Sequence, residues 1–281
     1  MTATVPTVVH MNILVTGATG NVGRPLVEQL VTAGHRVRAL TRDPARAELP
    51  AGVEAVAGDL TDAASVPLDG VDAMHLITFN GADFSPLTNG AELVERAERA
   101  GVRRVTVLKG DVAKGPVEEA VEASGLEWTH LGPVEFMSNA LEWASSVRTE
   151  GVVREGFPSS RSAMVHDGDI AAVAAVALTN SGHAGREYWL TGPEVLTPPE
   201  KVATIAAVLG REVRYVELTK DEIVAQWQGE GYSAEDIEFF VAMRTNPPEA
   251  GYTVLPTVQE VTGRPARTFA EWVRENAAAF S

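Results

Sequence analysis

A glycine-spaced turn, Gly17-Ala18-Thr19-Gly20-Asn21-Val22-Gly23, stands between the short apolar run 13–15 and a helix-periodic run carried by Val22, Leu26 and Leu30. A β-branched strand that ends in such a turn and then enters a helix leaves backbone N–H groups at the positive end of the helix dipole, where a pyrophosphate can sit. The glycines answer three needs: unusual dihedrals in the turn, backbone close enough to touch phosphate, and a small residue where helix meets strand. Taken alone the spacing is weak evidence, and the flanking strand and helix give it force. The competing reading is a tight strand-to-helix turn in an α/β domain that binds nothing.

Further along, strands and helices alternate. Residues 36–40 read as a second strand closed by the turn-prone Thr41-Arg42-Asp43-Pro44, 53–57 as a third leading into Gly58-Asp59-Leu60, and 73–78 as a fourth. A helix over 90–100 ends at Gly101, and 105–108, 116–123 and 128–131 follow as strand, helix and strand. This order predicts a doubly wound parallel sheet with its ligand beyond the carboxyl ends of the strands. Past Gly132-Pro133 the pattern loosens into a helix over 136–147, short segments at 152–153 and 162–165, and a helix entered through Asp169-Ile170-Ala171. Thr197, Pro198 and Glu200 mark another helix start with Gly210 as its end, and Thr268 caps a last helix over 269–280. The expected fold is α/β: a doubly wound parallel-sheet Rossmann domain over 11–134 plus parts of 150–192. A smaller C-terminal α+β substrate lobe is expected over 135–149 and 193–281, and residues 1–10, ahead of Met11, are expected to be a disordered extension or the product of an upstream start codon.

A chain of 281 residues with 45% hydrophobic composition can build both parts. Its net charge of −15 argues against nucleic acid as a partner. The absence of cysteine removes disulfides, thiolate catalysis and cysteine-ligated zinc. Six histidines without paired metal-ligand spacing give no metal site. No signal-peptide pattern opens the chain, and the apolar run 170–178 is shorter than the roughly 18 residues that cross a bilayer. No membrane is expected, and the location expected is cytoplasmic.

Cofactor choice rests on the end of the second strand. A carboxylate there serves the ribose hydroxyls of NAD, and an arginine favours the 2′-phosphate of NADP. Here Leu40 is followed by Thr41 and Arg42, with Asp43 one position late. NADP(H) is therefore expected in preference to NAD(H), with Arg42 pairing the phosphate and Thr41 assisting. Alternatively, Arg42 is a solvated loop residue that Asp43 neutralises. Asp59, beside Leu60, can accept a hydrogen bond from the adenine amino group or cap its own segment.

These residues resemble the NmrA-like group of atypical short-chain dehydrogenases, which includes NADPH-dependent quinone reductases and the isoflavone and pinoresinol-lariciresinol reductases. The matching pieces are 15–23, 41–44, 58–60, Ala123-Ser124-Gly125-Leu126-Glu127-Trp128-Thr129 and Phe136-Met137-Ser138-Asn139. Val165-His166 with Asp169-Ile170-Ala171 completes them. The likeness runs from Met11 to about Gly192. It implies a nicotinamide near Thr78-Phe79 and the segment 131–136, including Pro133 and Phe136, and a substrate packed against Phe136, Asn139 and Trp143. One departure stands out: Gly132 precedes Pro133 where many relatives carry arginine.

Ordinary short-chain dehydrogenases use a tyrosine followed four residues later by lysine. The four tyrosines here, Tyr188, Tyr215, Tyr232 and Tyr252, lie beyond the fifth strand, and none has that lysine. The likeness to isoflavone reductases instead points to Lys114, in Lys114-Gly115-Pro116-Val117, as general acid, a half-buried ammonium made proton-labile by desolvation. The competing reading of Lys114 is an exposed lysine in a glycine-containing loop. Lys109 competes from a strand end that faces the cofactor crevice; Glu119 can line the same cleft, although Glu118 and Glu119 on a short helix read as a solvated face, and His166 can donate a proton or be a satisfied histidine at a strand end. The implied activity is NADPH-dependent hydride transfer to a small carbonyl, enone or quinone-like substrate by a monomer or homodimer. The alternative is an NADP(H)-binding sensor or regulator of the NmrA type that turns nothing over.

Overall fold

The computed structural model describes residues 10–110 and 113–281. The extension read at 1–10 thus lies, but for His10, outside the described residues. In chain order the elements are β1 (Asn12–Val15), α1 (Gly23–Thr32), β2 (Arg36–Thr41), β3 (Glu54–Ala57), β4 (Ala73–Ile77), α2 (Gly90–Ala100), β5 (Arg104–Leu108), α3 (Pro116–Ala123), β6 (Glu127–Pro133) and α4 (Ala144–Glu150). They continue as β7 (Val152–Glu155), α5 (Asp167–Thr179), β8 (Arg186–Leu190), α6 (Pro198–Leu209), β9 (Arg214–Glu217), α7 (Lys220–Glu230), α8 (Ala234–Thr245), α9 (Thr257–Thr262), α10 (Phe269–Glu275) and α11 (Ala277–Phe280). Seven strands form one sheet in the order β3-β2-β1-β4-β5-β6-β8, and β7 pairs with β9 separately. The ladders from β3 to β6 are all parallel. Reversal of strand order at β1 and β4 creates the crevice in which doubly wound sheets bind ligands.

The chain divides into two units. The first holds the chain up to Pro133 together with Ile170–Tyr188. Its central strands are apolar on both faces, Ile13, Leu14, Val15, Leu76 and Val107 being buried, as expected when helices cover both sides of a parallel sheet. Leu26, Val27 and Leu30 form the inner stripe of α1. Strand β2 alternates instead, with Arg36 exposed and Val37 buried, because it lies one strand from the sheet edge.

The second unit is Val134–Asp169 with Trp189–Ser281. Its core gathers Met137, Val153, Val202, Ile205, Phe269, Trp272 and Phe280, with the rings of Phe269 and Trp272 stacked at 5.7 Å. Thr197 and Glu200 start α6 as expected, the Glu200 carboxylate accepting the Thr197 N–H at 2.8 Å, and Gly210 ends it in the left-handed region. Two expectations are corrected here. The helix over 136–147 is a 3-10 segment, Met137–Trp143, running into α4. Its three-residue period buries Met137 and Ala140 on one face, and the Ser138 hydroxyl is drawn to Asp167 at 2.6 Å. The short segment 162–165 makes single bridges, Ser162 to Leu196 and Val165 to Phe136. The last helix breaks at Asn276, whose side-chain amide donates to the Trp272 carbonyl at 2.9 Å.

Candidate dinucleotide site

The turn after β1 is fixed by its neighbours. Thr16 is buried; its N–H donates to the His75 carbonyl at 3.0 Å and its hydroxyl accepts the Ile77 N–H at 3.0 Å, tying β1 to β4. Gly17 then takes φ 61°, a conformation that disfavours any side chain. The Gly20 N–H closes the turn on the Gly17 carbonyl at 2.9 Å. A Cβ on Gly23 would lie 2.0 Å from the Gly17 oxygen, so only glycine lets the helix begin there. Thr19, Gly20 and Asn21 face solvent while Val22 is buried. No side chain caps α1 and no acid sits in its first turn, which leaves that end open to an anion.

Beside the turn runs an open groove of about 360 Å³ lined by Thr19, Arg24, Thr41, Arg42, Asp43, Arg46, Ala47 and Glu48. Three arginines thus share one groove with Thr41 and with the carboxylates of Asp43 and Glu48. Arg24 and Arg46 were missed in the sequence; the available signals were Arg24 directly after Gly23 and Arg46 on the 3-10 turn Pro44–Arg46. Asp43 caps that turn by accepting the Ala45 N–H at 3.2 Å. The Arg42 guanidinium donates to the Gly81 carbonyl at 3.3 Å. After β3, Asp59 accepts the Thr61 N–H at 2.9 Å and hydroxyl at 2.8 Å. These bonds hold its carboxyl below the usual range, with a smaller contribution from the Arg42 charge. Leu60 is buried, and its carbonyl accepts the Asn89 side-chain amide at 2.8 Å.

After β4, buried Thr78 accepts the Gly110 N–H at 3.1 Å and half-buried Phe79 bridges to Pro86. Lys109, at the end of β5, is only 5% exposed in its side chain and pairs with Glu187 at 2.8 Å. Pro133 ends β6, half-buried. The structure therefore sets residues 17, 19–23, 41–42, 59–60, 78–79, 109 and 133 at or just past the carboxyl ends of β1 to β6. Phe136 belongs to the second unit, where it bridges to Val165.

The desolvated ammonium expected at Lys114 is corrected. Its side chain is 49% exposed and bonded to Glu122 at 2.9 Å, and that bond raises its pKa. Buried His130 lies 3.1 Å from the same carboxylate, and its pKa is lowered by burial. Glu118 is buried rather than solvated and accepts the Gly115 N–H at 3.1 Å, whereas Glu119 is exposed. His166 is engaged at both ring nitrogens, by Glu275 at 3.0 Å and the Gly168 N–H at 3.0 Å.

The donor set fits a phosphorylated dinucleotide: a glycine turn that a Cβ would fill, an uncapped helix end, a three-arginine groove and a carboxylate past β3. Sheet order and turn together define an NAD(P)-binding Rossmann protein. A family model described as NAD(P)H-binding matches residues 17–111. A reductase of (4-alkanoyl-5-oxo-2,5-dihydrofuran-3-yl)methyl phosphate from Streptomyces griseus is 39% identical over 96% of this chain and 99% of its own. An NAD(P)H azoreductase from Xenophilus azovorans is 37% identical over 95% and 99%. The chain belongs to the NmrA-like atypical short-chain dehydrogenase/reductase family. Its fold matches the Escherichia coli NADPH-dependent quinone oxidoreductase complexed with NADPH at a TM-score of 0.79, with 24% identity over 94% of this chain and 99% of that one. Among the described residues no helix is long and apolar enough to cross a membrane.

Proposed function

We propose that this chain is an NADPH-dependent oxidoreductase that reduces a small carbonyl, enone or quinone-like acceptor. The observation that carries the reading is the groove holding Arg24, Arg42 and Arg46 beside the glycine turn. Three arginines along one groove suit the doubly charged 2′-phosphate that separates NADP from NAD. Backbone N–H groups of residues 17–23 hold the pyrophosphate, Thr41 assists the arginines, and Asp59 accepts from the adenine amino group. Thr78, Phe79 and Lys109 line the nicotinamide side. When bound, NADPH supplies a hydride from its nicotinamide. The acceptor gains that hydride and a proton, the proton coming from Lys114 or from water. The second unit is the substrate lobe, with Phe136, Asn139 and Trp143 as its substrate contacts. The two full-length reductase relatives support reduction as the reaction class.

Titration with NADPH and NADH, followed by NADPH absorbance with a panel of quinones, enones, aldehydes and azo compounds, tests this. Tighter NADPH binding with acceptor-dependent oxidation is the expected result. Equal affinity for both nucleotides would remove the 2′-phosphate assignment. Tight binding without turnover on any acceptor would favour the NmrA-type sensor, which the missing tyrosine-lysine pair keeps as the second reading.

A further inference from the structure

His166 is buried, and both of its ring nitrogens are engaged. Nδ1 lies 3.0 Å from the Gly168 N–H, which can only donate, so Nδ1 is the acceptor and the ring proton sits on Nε2. Nε2 then donates to the Glu275 carboxylate of α10 at 3.0 Å. The ring is a neutral imidazole of one fixed tautomer. A second proton would have to sit on Nδ1, facing a backbone N–H, and the turn from His166 to Gly168 would lose its bond.

That turn is bonded in both directions. Toward the start of the second unit, the Val165 N–H donates to the Glu135 carbonyl at 2.9 Å, the Met137 N–H to the Val165 carbonyl at 3.0 Å, and the Ser138 hydroxyl to Asp167 at 2.6 Å. Toward α10, Arg267 donates to Asp169 through its backbone N–H at 2.8 Å and its Nε at 2.9 Å, and reaches Glu275 at 3.5 Å. Segment 135–139 is thus tied to α10 through residues 165–169, and it carries half-buried Phe136 and exposed Asn139. Four charged groups face the imidazole. Glu275 and Asp169 favour its protonation, Arg267 opposes it, and Asp167 feels its charge. Burial is the largest effect and lowers the ring's pKa, so the neutral form holds at pH 7 and is lost in acid.

We propose that His166 is a positioning residue for the acceptor rather than a proton donor: its neutral imidazole fixes the turn 166–168, and that turn sets Phe136 and Asn139 against the substrate. Acid converts the ring to imidazolium, opens the turn and loosens segment 135–139, which weakens acceptor binding. This rests on the reading of the second unit as the substrate lobe and adds to it a residue that touches neither acceptor nor cofactor.

The test follows amide hydrogen-exchange protection of segment 134–143, and KM for menadione at saturating NADPH, from about pH 8 to about pH 5, which spans the ordinary histidine range. The proteins are the full chain, His166→Asn and Glu275→Gln. Asparagine keeps an oxygen that accepts the N–H two residues on and does not titrate. In the unaltered chain, acid should lower the protection and raise KM by about 3- to 10-fold, the size of one lost hydrogen bond. In His166→Asn both profiles should be flat. Glu275→Gln retains an acceptor for Nε2 and removes a charge that favours the imidazolium, so both profiles should move to lower pH. A histidine that only fills space would leave the two profiles where they are in either variant. An acid loss that persists unchanged in His166→Asn passes to Asp167 and the other carboxylates and overturns the proposal. Protection that follows His166 while KM stays constant overturns the substrate-lobe reading and leaves the turn standing. No turnover of menadione at any pH removes the quinone reading and not the turn, which the exchange profile decides by itself.

Discussion

A guanidinium against a phosphate makes charge-assisted hydrogen bonds worth about 1.5–3 kcal/mol each, roughly 10- to 100-fold in affinity. Arg24, Arg42 and Arg46 line one groove, so each substitution by alanine should weaken NADPH by a factor in that range and NADH by little. Fluorescence titration of the single variants with both nucleotides checks this, and equal losses for the two would reassign the groove. Gly23 offers a harsher residue-level prediction. A methyl group 2.0 Å from the Gly17 carbonyl forces the helix start to move, so Gly23→Ala should lower the unfolding temperature and abolish measurable binding of either nucleotide. Lys114 is governed by solvent and Glu122 rather than by burial. If it donates the proton, Lys114→Ala must lower kcat at unchanged NADPH affinity, and an unchanged kcat over pH 6–9 assigns the proton to water.

At the scale of elements, the capping box that begins α6 is the clearest case of sequence dictating structure. Thr197→Ala removes the hydroxyl that bonds Glu200, and should cost about 1 kcal/mol, read as a fall of a few degrees in unfolding temperature. The strands β1 to β6 and the helices α1 to α3 were legible for the same kind of local reason. Continuous apolar runs, glycine stops such as Gly101 and the proline at the start of α3 each act within a few residues. What stayed hidden depends on distant partners. The 3-10 segment at 137–143 follows from Ser138 meeting Asp167, and the break before α11 from Asn276 competing for a carbonyl in the preceding turn. Arg24 and Arg46 read as ordinary surface residues until α1 and the turn after β2 set them beside Arg42. Burial of Glu118 likewise needed the fold, since its neighbour Glu119 is exposed on the same short helix.

For the whole molecule, histidine burial sets the response to acid. His35, His75, His130, His166 and His183 all have lowered pKa values, each with burial as the leading cause. His75 is the extreme: enclosed in the sheet with Nδ1 2.8 Å from the Thr106 hydroxyl, it is pushed down to about 4. Its neutral form is the one the fold accommodates, whereas the unfolded chain protonates near 6.5. The stability this depressed group confers is fully present above pH 6.5. It is lost as pH falls toward 4, because the unfolded state binds the proton first. Over that window His75 alone accounts for about 3 kcal/mol. Glu142, Glu155 and Asp167, raised by burial, act in the opposite sense, so the net slope of the unaltered chain is a difference of terms. Comparison with His75→Gln isolates the histidine, since the amide retains hydrogen-bonding capacity toward Thr106 and cannot titrate. Denaturant unfolding from pH 7.5 to 4.5 should show the variant's stability falling less steeply, by up to about 1.4 kcal/mol per pH unit below pH 6. Parallel curves would mean that the ring admits a proton without loss of packing, and the acid sensitivity would then pass to the other four imidazoles with lowered pKa values.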